Sequence, residues 1–354
     1  KFNDDDRKWD PDPRYTGLVV TGYSPLPQLT ENYIVNTQPR VDGPFVISAN
    51  FRPYPTTNTN QSEVIITRHP TNQNILWASC NMTTIGGTLF ISEGTYVSTN
   101  GGANWFGSDT LAGAPIGNHG GDPGPAIDKD GRLHMTHLGY TTSGMFANYS
   151  TNNGLTWSNT YTIASGSQDK NFAGTDDAPS SPYYGRTYCV WSWFPVSAPW
   201  AAVSYTTNGG VSWSAPAQIN VPPAGHYSQG TDIRVGPNGE VYVCWAAPTS
   251  SSPFTEDYLG FAKSTNGGVN WTVTENAYDM NGIRGTFSTK SGIRVNGFPR
   301  IDVDRSGGAR NGWIYIVTAE RNLAPAGSDP DIILHRSTNG GVNWSAGVRV
   351  NQDA

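Results

Sequence analysis

Residues 98–105 read Ser-Thr-Asn-Gly-Gly-Ala-Asn-Trp, and the phrase returns four times: Ser-Thr-Asn-Asn-Gly-Leu-Thr-Trp at 150–157, Thr-Thr-Asn-Gly-Gly-Val-Ser-Trp at 206–213, and Ser-Thr-Asn-Gly-Gly-Val-Asn-Trp at both 264–271 and 337–344. The closing tryptophans, Trp105, Trp157, Trp213, Trp271 and Trp344, stand 52, 56, 58 and 73 residues apart. That period is too long for helical-hairpin or leucine-rich repeats and suits one four-stranded β-sheet per copy. The repeat therefore predicts an all-β propeller of four-stranded antiparallel blades.

The chemistry of the phrase agrees. Asn-Gly-Gly supplies residues that tolerate positive φ, which a tight hairpin requires, and the leading hydroxyl and the Asn can bond the loop's own backbone. The closing Trp opens the next strand with a large apolar face to bury. Ahead of each copy runs a β-hairpin, over residues 64–80, 122–137, 169–191, 232–245 and 298–319, whose second strand is a mixed apolar run such as Val241-Tyr242-Val243-Cys244-Trp245. Such runs fit sheets covered on both faces by neighbouring blades. With the phrase's own hairpin, each unit has four strands.

The phrase resembles the Asp-box, or bacterial neuraminidase repeat, Ser-x-Asp-x-Gly-x-Thr-Trp. The Asp position is Asn here in all copies: Asn100, Asn152, Asn208, Asn266 and Asn339. Asn keeps the side-chain acceptor and drops the charge, so the structural role is expected to survive. The resemblance spans roughly residues 60–354 and is closest to secreted sialidase-like repeat proteins of bacteria, through Asp169-Lys170-Asn171-Phe172, residues 176–184 and residues 295–304. It implies six blades, with boxes on peripheral turns as structural elements. Residues 1–60, with Leu18-Val19-Val20-Thr21 and Phe45-Val46-Ile47-Ser48, are expected to wrap or complete the ring ahead of a 61–354 propeller, unless the chain continues into a further blade.

Composition narrows the function. A net charge of −6 with no run of Lys or Arg argues against nucleic acid. No segment approaches 18 consecutive apolar residues, so no membrane span is expected. A chain starting at Lys1 fits a mature secreted product. Cys80, Cys189 and Cys244 lie in second strands of different units and read as buried free thiols. His134 and His137, three apart in a strand, point to opposite faces and read as packing, and Asp128-Lys129-Asp130-Gly131 reads as a hairpin turn. No cofactor is indicated with certainty; the acidic stretch at residues 3–6 and the pairs Asp176/Asp177 and Asp302/Asp304 are candidate Ca²⁺ positions.

In a propeller the first strand of each blade lines the central channel, and its leading end opens onto the face where ligands usually bind. Read blade by blade, that column holds Glu63; His119 and Asp122; Asp169, Lys170 and Asn171; Gln229 and Asp232; and Asn296, Phe298 and Arg300. It varies between copies, whereas the boxes repeat, so specificity is expected in the column and stability in the boxes. The sialidase resemblance implies an Arg cluster for a substrate carboxylate. Arg300 is the one Arg in the column, Arg68 and Arg234 fall later in their strands, and the Arg-Ile-Pro signature is reduced to Arg52-Pro53. The expectation is a secreted or cell-surface, bacterial, glycan-interacting propeller that resembles exo-sialidases, with catalysis open. The alternative is a non-enzymatic extracellular scaffold for adhesion or protein contact.

Overall fold

Each box-bearing segment forms one four-stranded antiparallel sheet in the computed structural model, which describes residues 59–84, 90–111, 118–195, 198–287 and 293–351, with the strand backbone of 40–42 and 45–47. A hairpin of β1 (Arg40–Asp42) and β2 (Phe45–Ile47) precedes the sheets. Blade one holds β3 (Thr59–Arg68), β4 (Leu76–Thr84), β5 (Phe90–Ser98) and β6 (Phe106–Ser108). Blade two holds β7 (Gly124–Ile127), β8 (Leu133–Leu138), β9 (Gly144–Ser150) and β10 (Tyr161–Ser165). Blade three comprises β11 (Gln168–Thr175), β12 (Thr187–Trp193), β13 (Trp200–Thr206) and β14 (Ala217–Gln218); blade four β15 (Gln229–Val235), β16 (Val241–Pro248), β17 (Glu256–Ser264) and β18 (Thr272–Asp279). A hairpin of β19 (Gly285–Phe287) and β20 (Ile293–Val295) separates it from blade five: β21 (Arg300–Val303), β22 (Ile314–Glu320), β23 (Asp331–Ser337) and β24 (Val348–Arg349).

The described four-stranded sheets number five, which corrects the expected six. Residues 1–60, the expected source of the remaining sheet, contribute only the β1–β2 hairpin and the start of β3 to the described residues; the rest of that segment, including residues 3–6 and 18–21, lies outside them. The inner strands β3, β7, β11, β15 and β21 follow one another around a single axial channel of about 730 Å³.

Each box closes its own turn. The amides of Gly102, Gly154, Gly210, Gly268 and Gly341 donate to the leading hydroxyls of Ser98, Ser150, Thr206, Ser264 and Ser337 at 2.8–2.9 Å. The Asn side-chain oxygens of Asn100, Asn152, Asn208, Asn266 and Asn339 accept the amide four residues on at 2.8–3.0 Å. The acceptor that Asn shares with Asp is thus the atom in use. The tryptophans then fill gaps between sheets: Trp157 joins the cluster between blades one and two, Trp213 that between two and three, Trp271 that between three and four, and Trp344 that between four and five. Trp105, with no preceding box blade, packs on Ala78, Cys80, Met82 and Tyr96 of its own sheet. From the second box onward, each Trp is a wedge against the preceding blade.

Blades three and four are covered on both faces, so β16 is buried along its whole length. Blade five meets blade four through Ile301, Val303, Ile314 and Ile316, while along β23 burial alternates and leaves Ile332 exposed. Val64 and Ile66 of β3 are likewise 68 % and 59 % exposed. The three thiols are free and buried, as expected from their strand positions.

Truncating a buried Trp costs roughly 3–5 kcal/mol, so Trp157→Ala, which removes a ring 5.5 Å from that of Trp77, is expected to lower the melting temperature sharply. Asn208→Asp keeps the acceptor for the Ser212 amide, and Ser212 Oγ can donate to the new carboxylate in place of accepting from Asn208 Nδ2; its shift should stay within about 0.5 kcal/mol. Thermal melts of both variants check the pair, and similar losses in the two would contradict the assignment.

Candidate functional site

The inner strands start with a shared distortion. The ladder to the second strand slips between Ser62 and Ile65, Asp169 and Phe172, and Gln229 and Asp232. The bulged residue there is left-handed: Glu63 (φ 52°), Lys170 (φ 49°) and Gly230 (φ 71°), with Asp122 (φ 53°) alike at the head of blade two. Left-handed backbone costs a non-glycine residue about 1 kcal/mol, and neighbouring blades hold it in place. The Asp122 amide donates to Asn81 Oδ1 and the Lys170 amide to Asp122 Oδ2, each at 2.9 Å. Bulges re-aim side chains. Here they bring Lys170 Nζ to 3.0 Å from Glu63 Oε2 and 3.3 Å from Asp122 Oδ1, so one ammonium links the leading ends of blades one, two and three.

Other members of the predicted column turn into the blade interfaces. Asp232, fully buried, accepts the Ile233 and Ile301 amides at 2.7 and 3.2 Å and pairs with Arg234. Asn171 donates to Thr136 Oγ1 at 2.8 Å, and His119 is buried between blades one and two. Arg300 lies over the Phe172 ring at 4.3 Å and donates to Pro299 O, beside the axial channel that Phe172 helps to line. Lower in that channel Arg234 meets Asp302, and Arg305 pairs with Asp177. Asp176 accepts from Ala178 N and Ser181 Oγ, and Asp304 from Ser306, so the two acidic pairs weighed for Ca²⁺ are engaged with protein partners.

A second concavity opens on the same face, over blades three to five. Lys170, Gln229, Arg284, Arg294, Asn296 and Phe298 line it, with Gly285 and Val295. Its enclosed space of about 20 Å³ is that of one water or one small anionic group, not of a sugar ring. Arg284 is held in place: its Nη1 donates to Gln229 Oε1 at 2.6 Å, and Gln229 Nε2 donates to Asp169 Oδ2 at 2.7 Å. Phe298 covers Gly230, where a Cβ would come within 2.3 Å of its ring, so this bulge position accepts only glycine.

Under the floor sits Glu256, fully buried, whose Oε2 accepts the Gly297 amide at 2.7 Å between the pocket residues Asn296 and Phe298. Burial pushes its carboxyl up to about 7, with the nearby Arg284 charge and the Gly297 amide opposing the rise and Glu320 adding to it.

Arg284 and Arg294 lay outside the predicted column. Both belong to the stretch that lengthens the last box interval to 73 residues, where Thr286 and Arg294 pair across the β19–β20 hairpin. That excess length was the available signal. Long connections in an otherwise regular repeat are where binding residues gather.

No protein-family model matches the chain, and no curated protein matches it at a significant level. Among solved structures it is similar to an ulvan lyase of polysaccharide lyase family PL25, at 11 % identity over 84 % of this chain and 74 % of that one, with a TM-score of 0.55. It is also similar to an α-L-arabinanase of Penicillium chrysogenum complexed with arabinobiose, at 14 % identity over 82 % and 85 % of the two chains and a TM-score of 0.53. A Hadza microbial sialidase follows at 14 % identity, 80 % and 57 % coverage and a TM-score of 0.50. At such identities the likeness establishes the fold class: the chain is a β-propeller of four-stranded blades.

Glu256 carries a pH signature. Its folded-state affinity for a proton exceeds the unfolded one, so its stabilising contribution is complete below about pH 4.5 and is lost as the pH rises through about 7, an effect of about 3 kcal/mol. Between pH 5 and 8 the melting temperature of the parent should therefore fall more than that of Glu256→Gln. Parallel curves for the two proteins would contradict a protonated Glu256.

Proposed function

We propose that the chain is a glycan-interacting β-propeller whose ligand is an acidic saccharide bound on the face where the inner strands begin. One observation carries the reading: Lys170, from blade three, and Arg284 and Arg294, from the stretch around the β19–β20 hairpin, line one concavity together with Gln229, Asn296 and Phe298. A carboxylate or sulfate group fits the small depression, and a guanidinium held by Gln229 is oriented before the ligand arrives. Asn296 and Gln229 offer amides to hydroxyl groups, and Phe298 offers an apolar face for a sugar ring. The structures similar in fold are named for action on ulvan, arabinan and sialic acid, which agrees with a saccharide ligand. An extracellular or cell-surface location in a bacterium belongs to the same proposal; no helix among the described residues is long and apolar enough to cross a membrane.

A second reading, a non-enzymatic scaffold, draws on Asp169, Asn171 and Asp232, which stitch neighbouring blades together. A glycan array carrying uronate, sialate, sulfated and neutral saccharides, combined with a fluorogenic sialoside assay, separates the two. The expected outcome is binding confined to acidic saccharides and weakened about tenfold by Arg284→Gln, the loss of one charge-assisted hydrogen bond. Turnover that Arg300→Ala abolishes would establish an enzyme of sialidase type, and binding without turnover a lectin-like module. No binding to any acidic saccharide leaves the scaffold.

A further inference from the structure

Glu93 on β5, His119 ahead of β7 and His137 on β8 meet between blades one and two, each no more than 1 % exposed, with one ligand atom of each within 4.8 Å of the others. Hydrogen bonding settles the tautomer of His137. The Asn148 amide nitrogen donates to Ser158 O at 3.0 Å and Thr160 Oγ1 at 3.1 Å, so its Oδ1 faces His137 Nε2 at 2.9 Å, and that nitrogen carries the proton. In the neutral ring Nδ1 is then an acceptor, yet it lies 2.8 Å from Leu138 O and 4.0 Å from Glu93 Oε1. Facing acceptors repel unless a cation stands among them: a proton on Nδ1, or a metal ion. His119 adds a second imidazole, its Nδ1 pressed against Glu93 Oε2 and its buried Nε2 without a hydrogen-bond partner.

We propose that these three residues form a divalent transition-metal site that clamps blade one to blade two. Two imidazoles and one carboxylate suit Zn²⁺ and its neighbours Co²⁺ and Ni²⁺, whereas Ca²⁺ and Mg²⁺ require more oxygen ligands. The His137 Nε2–H bond to Asn148 is the outer contact by which proteins orient a metal-binding imidazole, and the Gly121 amide at 2.9 Å does the same for Glu93 Oε1. The rings of His119 and His137 stack at 4.2 Å and 9°, so their lone pairs do not yet converge on one point. Binding therefore turns one ring off the stack. His119 is the one that moves, since it precedes Gly120 and Gly121 (φ 102°) in a connection while Glu93 and His137 are fixed in strands.

The test uses the full chain, stripped with a chelator, titrated separately with ZnCl₂, CoCl₂ and NiCl₂, and followed by thermal melting and by metal content after dialysis. One equivalent of retained zinc and a rise of about 5 °C at saturating metal are expected, as for a ligand that binds only the folded state. Glu93→Gln and His119→Gln should each retain less than a tenth of an equivalent while keeping the β-sheet circular dichroism of the parent. Failure of the parent to retain any of the three metals or to shift its melting temperature would overturn the proposal, as would undiminished retention by His119→Gln. Because the cluster lies apart from the Lys170–Arg284–Arg294 concavity, its failure leaves the saccharide reading untouched.

Discussion

The molecule depends on a short hydrogen bond made five times, from a glycine amide back to the hydroxyl that opens each box. The bond is possible because the glycines take positive φ, between 69° and 89° across the four Gly-Gly copies. It folds the hairpin so tightly that the closing Trp returns toward the sheet, and from the second box onward that Trp fills the gap against the preceding blade. Basic side chains of the earlier blade add to the seal: Arg132 Nη1 donates to Gly209 O, and Arg186 Nη1 to Gly267 O. A local turn thereby becomes the device that places one sheet on the next and aims every inner strand at one axis.

Once the inner strands converge, their leading ends are crowded with polar groups in a partly buried setting. Polar groups there must find partners, and several find them in the adjacent blade: Asp122 with Lys170, Asp169 with Gln229, Asp232 with Ile301. Holding the ring together and presenting a ligand surface are thus jobs for neighbouring residues of one strand. The bulge decides which residue does which, because Lys170 is turned toward the axis while Asn171, next to it, is turned into the interface.

Boxes, hairpins and free thiols were legible in the sequence because each depends on residues close together in the chain. Of the column expected to converge, Lys170 meets Glu63 and Asp122, because the repeat places equivalent positions around one axis. The opposite fate of Asp232 and Asn171 was not legible: strand alternation predicts facing only while the register is regular, and here it slips at the bulge. Blade count was also hidden. Boxes report the units that carry them, whereas the two sheet faces with exposed Ile332, Val64 and Ile66 emerge only in three dimensions. Arg284 and Arg294 escaped because they belong to an insertion and not to the repeat itself.

Beneath the concavity those two arginines share with Lys170 lies Glu256, whose carboxyl burial pushes up to about 7. An acidic group arriving there meets oriented donors and a favourable field. The most direct measurement is a crystal structure of the protein with an acidic oligosaccharide bound. The account predicts its carboxylate or sulfate among Lys170, Arg284 and Arg294, with a sugar ring near Phe298. An acidic group seated instead in the axial channel against Arg234 and Arg305, or on the rim of the boxes, would contradict it.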